Sequence, residues 1–139
     1  RSVDVDAALT ALAHRGPDGQ GQTVVPIGST NVWLGHTRLA IQDLTEAGAQ
    51  PMASADGRWL ITFNGEIYNH QDLRRDLTRT WRGHSDTETL VEAISQWGVE
   101  PTVRRLNGIF AFGVLDRVHN ALYLVRDPFG VKPLYYAQT

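Results

Sequence analysis

No cysteine occurs anywhere in the 139 residues. Disulfides and thiolate metal sites are thereby excluded. An excess of charge of either sign is also lacking: thirteen Lys and Arg stand against fifteen Asp and Glu, for a net charge of -2. No basic cluster carries interleaved aromatics, so nucleic acid is not an expected partner. No apolar run approaches the roughly 20 residues needed to span a bilayer, and no basic-then-apolar signal segment opens the chain. Neither a membrane nor secretion is expected, and the cytoplasm is the default location. Nucleotide motifs are missing too. "GPDGQGQ" does not fit G-x-G-x-x-G, and there is no Walker lysine. The five histidines, His14, His36, His70, His84 and His119, show neither HExxH nor paired spacing, so no metal site is expected.

What is present reads as one compact α+β domain. Apolar residues make up 42% and charged residues 20%, ordinary values for a globular chain of this length. Asp4 or Asp6 can cap a short helix over Val5–Ala13 that places Leu9 and Leu12 on one face. The polar, glycine-rich stretch His14–Gln22, "HRGPDGQGQ", reads as a loop. Val32–His36 is a strand candidate, "RLAIQDL" after it is extended, and Gly48–Gly57 is irregular. "WLITF" at Trp59–Phe63 reads as a strand, with the following Asn64-Gly65 pair as a turn.

Asn69 can cap a helix around Leu73 and Leu77. Ser85 and Glu88 have capping-box spacing ahead of Leu90, Ile94 and Trp97, and Gly98 stops that helix. A helical turn is expected near Val103–Leu106. Ile109–Leu115 and Ala121–Val125, flanking "DRVHN", predict a β-hairpin with a loop of four or five residues. Both strands are apolar at nearly every position, which predicts cover on both faces.

Three places could carry chemistry, and each has an ordinary structural account. Asp86 stands in the first turn of its helix, where the macrodipole alone favours a carboxylate by about 0.3–1 kcal/mol. Arg38 could be an exposed ion-pair partner. Asn64-Gly65 could be a plain turn. His84-Ser85-Asp86 contains triad residue types, but sequence neighbours at a helix start rarely converge, so a capped helix is the expectation there.

Six motifs in order change the weighting: "HRGPDG" at 14–19, "GHTRLAIQDL" at 35–44, "NGEIYN" at 64–69, "GHSDTETLVEA" at 83–93, "LNGIFAF" at 106–112 and "RDPFGVKPLYY" at 126–136. Together they resemble the glutaminase domain of glutamine-dependent asparagine synthetase, a class II glutamine amidotransferase of the N-terminal-nucleophile hydrolase superfamily. "HRGPD" and "NGEIYN" resemble the asparagine synthetase branch more than the amidophosphoribosyltransferase or glucosamine-phosphate synthase branches. The resemblance implies a four-layer αββα sandwich, two antiparallel sheets between helix layers. Residues 1–139 would then be one such domain, truncated at the front.

The resemblance also implies a reaction. An N-terminal cysteine thiolate attacks the side-chain amide of L-glutamine, with the cysteine's own α-amino group as base. A thioester forms, ammonia leaves, and water releases glutamate. By similarity, the Asn64 side-chain amide and the Gly65 backbone N–H form the oxyanion hole, Arg38 takes the substrate carboxylate, and Asp86 takes its ammonium. Glu66 stands as a further polar contact, and Leu39 and Ile41 line the pocket. His14–Asp18 matches a loop near it with no catalytic step assigned.

Three features depart from that pattern. The nucleophilic cysteine and its strand do not appear, the first helix is short, and so is the stretch between Leu77 and Gly83, where the family has a strand. An incomplete domain accounts for all three. The alternative is a cysteine-less binding or structural module of a related synthetase, like that of β-lactam synthetase. The family's C-terminal synthetase domain, with its "SGGxDS" loop, ATP and magnesium, has no counterpart before Thr139. The implied partners are L-glutamine and that synthetase domain, with the oligomeric state open and a homodimer among the options. No cofactor is expected within the domain itself.

Overall fold

The computed structural model describes residues 4–40 and 45–136. Helix α1, Val5–Leu12, begins where the Asp4 carboxylate accepts the Ala7 N–H at 3.0 Å. Leu9 is buried on its inner face, whereas Leu12 stays exposed. Strands β1 (Gly19–Ile27) and β2 (Thr30–Arg38) follow as an antiparallel hairpin closed by Gly28 and Ser29. The loop expected over His14–Gln22 therefore ends at Asp18. Isolated glycines and glutamines have poor strand propensity, but β2 supplies partners that local pattern cannot reveal: Gly19 pairs with Arg38 and Gly21 with His36.

The second sheet has four antiparallel strands in the order β3-β4-β5-β6: Met52–Ala53, Trp59–Ile67, Gly108–Asp116 and Ala121–Arg126. Strand β4 is longer than its sequence pattern predicts. It runs straight through Asn64 and Gly65, which face Ala111 and Phe110 of β5. The expected turn at Asn64-Gly65 is thus strand interior. A Cβ on Gly65 would clash with the Ile109 carbonyl and lie 2.7 Å from the Phe110 Cα, so only glycine lets the two backbones pair there.

Helices α2 (His70–Arg75), α3 (Asp86–Trp97) and α4 (Val99–Val103) cover one face of this sheet. Ile61, Phe63 and Ile67 of β4 and Phe110, Phe112 and Val114 of β5 meet Leu73, Leu90, Val91 and Ile94 in one buried cluster. Burying each such side chain contributes about 1.5–3 kcal/mol before conformational entropy is counted. The opposite face meets the two-stranded sheet through Leu60 and Leu115 against Leu34. Helix α1 packs on β2 from the outside, where Leu9 approaches Gly35. The order is helix, two-stranded sheet, four-stranded sheet, helices, in keeping with the expected sandwich.

Helix α3 carries the expected caps. Ser85 Oγ accepts the Glu88 N–H at 3.2 Å, and Gly98, at φ 86°, closes the other end. The hairpin between β5 and β6 pairs Asp116 with Ala121 and leaves a four-residue loop. Two expectations here need correction. Asn69 precedes α2 without a side-chain capping bond; its amide instead donates to Arg105 O and accepts from Asn107 N, fastening the approach to β5. The turn expected near Val103–Leu106 is present directly after α4, where the Leu106 N–H donates to Val103 O at 3.2 Å. Strand β6 is not covered on both faces: Leu122, Tyr123 and Leu124 are exposed because β6 is the last strand of its sheet. No helix among the described residues is long and apolar enough to cross a membrane.

Asp116, the last residue of β5, is buried and held in a fork by Arg58, with Nε–Oδ1 at 3.0 Å and Nη2–Oδ2 at 2.6 Å. This guanidinium holds the Asp116 carboxyl well below the usual carboxylate range. A depressed folded-state pKa contributes stability that is complete above the unfolded value, about 4, and fades as pH falls toward the folded value. Asp116→Asn should lower stability by about 1.5–3 kcal/mol at neutral pH and make the acid limb of the Tm-against-pH curve shallower. Thermal melts of the two proteins across the acid range check this, and parallel acid limbs would refute it.

Candidate functional site

Strand β2, strand β4 and the start of α3 converge on one cavity of about 300 Å³. Its lining includes Arg38 and Leu39 from the end of β2, Asn64, Gly65 and Glu66 from β4, and Asp86 from α3. Six of the seven residues singled out in the sequence are therefore neighbours in space. The seventh, Ile41, lies outside the described residues. Arg15, from the His14–Asp18 loop expected near the pocket, and Lys132, to which the sequence assigns no role, add two more basic side chains to the wall.

Each side of the cavity is fixed by contacts that the motifs encode. The loop before β1 packs directly on Arg38. Asp18 N donates to Arg38 O at 3.0 Å, and Asp18 Oδ2 accepts the Ala40 N–H at 2.9 Å. Gly16 presses so closely on the Thr37–Arg38 backbone that a Cβ would collide with it. The "HRGPD" segment is thus the brace behind Arg38, a function its polar composition alone does not disclose.

On the opposite side, Arg74 fastens the loop ahead of α3. Its guanidinium donates to Gly83 O and Ser85 O, each at 3.0 Å, and lies over the Trp81 ring. Glu88, itself buried, accepts the N–H groups of Arg82 and Gly83 at 2.8 and 3.0 Å. Lys132 is held from below by Asp127. That buried carboxylate accepts four backbone N–H groups, from Phe110, Phe129, Val131 and Lys132. Burial disfavours its charge, but those donors outweigh burial and keep its pKa below the ordinary value.

Asp86 is the least ordinary charge of the site. It is only 6% exposed, and its Oδ2 accepts the Ile67 N–H at 2.9 Å. Burial pushes its carboxyl up, and the bond from Ile67 and the nearby His70 ring offset that only in part. His36 and His70 are held below their ordinary values, again chiefly by burial. The cavity lining thus combines the basic side chains of Arg15, Arg38 and Lys132 with the carboxylates of Glu66 and Asp86, the latter buried and only partly compensated. A ligand bearing both a carboxylate and an ammonium matches that combination. Among the described residues, no group of three or more His, Cys, Asp or Glu side chains could hold a metal ion.

A family model for the glutamine amidotransferase domain matches residues 1–139. The chain belongs to that family. Among glutamine amidotransferase relatives, it is 42% identical over 141 aligned positions to asparagine synthetase [glutamine-hydrolyzing] 3 of Bacillus subtilis, covering 96% of this chain and 22% of the relative. It is 38% identical over 128 positions to a probable asparagine synthetase [glutamine-hydrolyzing] of Acanthamoeba polyphaga mimivirus, covering 92% of this chain and 23% of the relative. A probable asparagine synthetase [glutamine-hydrolyzing] of Dictyostelium discoideum is 43% identical over 128 positions, covering 89% and 22%. The chain thus spans less than a quarter of the length of these relatives.

The buried carboxylate yields a prediction that needs no ligand. Because the folded-state pKa of Asp86 is raised, the ionised form is disfavoured in the fold, and that cost is relieved as pH falls through the raised value. Asp86→Asn keeps an oxygen for the Ile67 N–H while removing the charge. The variant should melt at the same temperature as the parent or higher at about pH 7, and the difference should close as pH falls toward the ordinary carboxylate range, about 4. A Tm lower by several degrees at neutral pH would show that the charge stabilises the fold.

Proposed function

We propose that this chain is the glutamine-binding and amide-activating part of an enzyme that hydrolyses L-glutamine to glutamate and ammonia. The ammonia serves ATP-dependent amidation of aspartate to asparagine in a longer parent protein. The observation that carries this reading is the meeting, around one cavity, of Arg38, the Asn64-Gly65 pair and Asp86. Arg38 takes the substrate α-carboxylate in bidentate geometry. Asp86 takes the α-ammonium, with Glu66 as a second polar contact, and Leu39 and Ile41 match, by the resemblance, backbone positions that line the same pocket. The distal amide then reaches Asn64 and Gly65, whose N–H donors stabilise the oxyanion that forms on its carbonyl oxygen. One such donor is worth about 3–4 kcal/mol.

The chain contains no cysteine. In this reading the attacking thiolate comes from outside these 139 residues, as do the synthetase domain and its ATP and magnesium. The domain itself uses no cofactor, and the parent works in the cytoplasm. The absence of a thiol also favours a second reading, a cysteine-less module that binds an amino acid without hydrolysing it. Ammonia release from glutamine by the full-length protein decides between the two.

Two substitutions in the full-length protein test the assignments. Asn64→Ala should chiefly lower kcat, by about a hundredfold or more, with KM little changed, because the donor gains most of its strength when charge develops on the oxygen. A plain structural role predicts a lower Tm at unchanged kcat. Arg38→Lys should instead raise KM for glutamine, since losing a bidentate charge-assisted pair costs about 1.5–3 kcal/mol, roughly a tenfold to hundredfold loss of affinity. Steady-state kinetics beside thermal melts separates these outcomes. Parental kinetics in both variants would remove the site from this cavity.

A further inference from the structure

We infer that Gln50, a residue outside the six motifs, is a positioning residue that sets where the Gly65 N–H points. This rests on the glutaminase reading above. Gln50 lines the cavity wall, and its side-chain amide is bonded at both ends. Oε1 accepts the Phe63 N–H at 2.7 Å, and Nε2 donates to Thr87 Oγ1 at 3.2 Å. The amide orientation is chemically determined, because the Phe63 N–H can only donate and so requires the oxygen.

The bond to Phe63 has a geometric reason. Strand β3 pairs Ala53 with Leu60 and Met52 with Ile61, then ends. Continuing that register would set Gln50 opposite Phe63, with Pro51, which has no N–H, between Gln50 and Met52. The Gln50 side chain therefore replaces the missing strand as acceptor on this edge of β4.

Alternate N–H groups along a strand face the same edge. On this edge the Phe63 N–H goes to Gln50, and the Ile67 N–H goes to Asp86 Oδ2. The Gly65 N–H lies midway between them, on the same edge and beside the cavity that Gly65 lines. Its two flanking amides are thus clamped to consecutive residues at the start of α3: to Thr87 through Gln50, and to Asp86 directly. The clamp ties the strand bearing the oxyanion donors to the helix bearing the ammonium acceptor. Gln50 touches neither reacting atom, yet it fixes the spacing between the two ends of the substrate site. Gly21 packs against the Gln50 carbonyl so closely that it leaves no room for a side chain, which holds Gln50 from behind.

The test uses the full-length protein and three variants. Gln50→Met keeps the shape and removes both bonds. Thr87→Val removes the helix end of the clamp, and Thr87→Ser restores it. Loosening the donor while leaving the carboxylate and ammonium contacts intact should lower kcat about tenfold or more, with KM held within about twofold. Thr87→Val should fall in the same direction, Thr87→Ser should return close to the parent, and the Gln50→Met/Thr87→Val double variant should lose little beyond Gln50→Met alone. Folded single variants that keep parental kcat, even with a reduced Tm, overturn the inference. Should Gln50→Met fail to fold, the Thr87 pair decides alone. A parent that releases no ammonia from glutamine removes the function and this inference together, whereas an active parent with unaffected variants removes the inference only.

Discussion

The hydrogen bond from the Ile67 N–H to Asp86 Oδ2 joins the two elements on which the site depends. It takes an amide near the end of β4 and gives it to the first residue of α3. Burying a carboxylate there is unfavourable, as the raised pKa of Asp86 records. The bond, the positive end of the α3 dipole and the His70 ring recover part of that cost. Asp116 and Asp127, by contrast, sit among donors that hold their pKa values low. Among the described residues, Asp86 is thus the carboxylate whose pKa burial raises, and it lines the cavity.

How much of this is legible in the sequence depends on the range of each signal. Helix α3 was legible because its cap, its apolar spacing and its terminal glycine all lie within fourteen residues, Ser85 to Gly98. The β5–β6 hairpin was legible because two apolar runs flank one short loop. Strand β1 was not, because its glycines become strand residues only through pairing with β2. The exposure of β6 was also invisible: an edge strand and a central strand can share one apolar composition, and position in the sheet decides their burial.

The grouping of residues around the cavity was legible through motifs and not through periodicity. Arg38, Asn64, Gly65 and Asp86 are unremarkable residue types one at a time, and only their order marked them. What the motifs did not disclose was the support behind them. Asp18 braces the Arg38–Ala40 backbone and Gln50 bridges β4 to α3, each by a side chain reaching more than twenty residues along the sequence to a backbone or hydroxyl partner. Such bonds leave no local trace, because either partner alone is an ordinary polar residue in an irregular stretch.

The placement of Asn64 and Gly65 within a strand, and not on a turn, bears directly on the proposed chemistry. A turn on the surface keeps conformational freedom that must be lost each time charge develops beside it. A strand paired along one edge with β5 and clamped on the other by Gln50 and Asp86 has lost that freedom on folding. Donors fixed in advance need no reorganisation when an oxyanion appears, and this is where most of their catalytic value lies. Residues that make such a strand possible leave little room for change. Gly65 must be glycine so that β4 can lie against β5, and its N–H lies on the opposite edge, beside the cavity. Packing therefore fixes glycine at the position whose N–H the proposed chemistry uses.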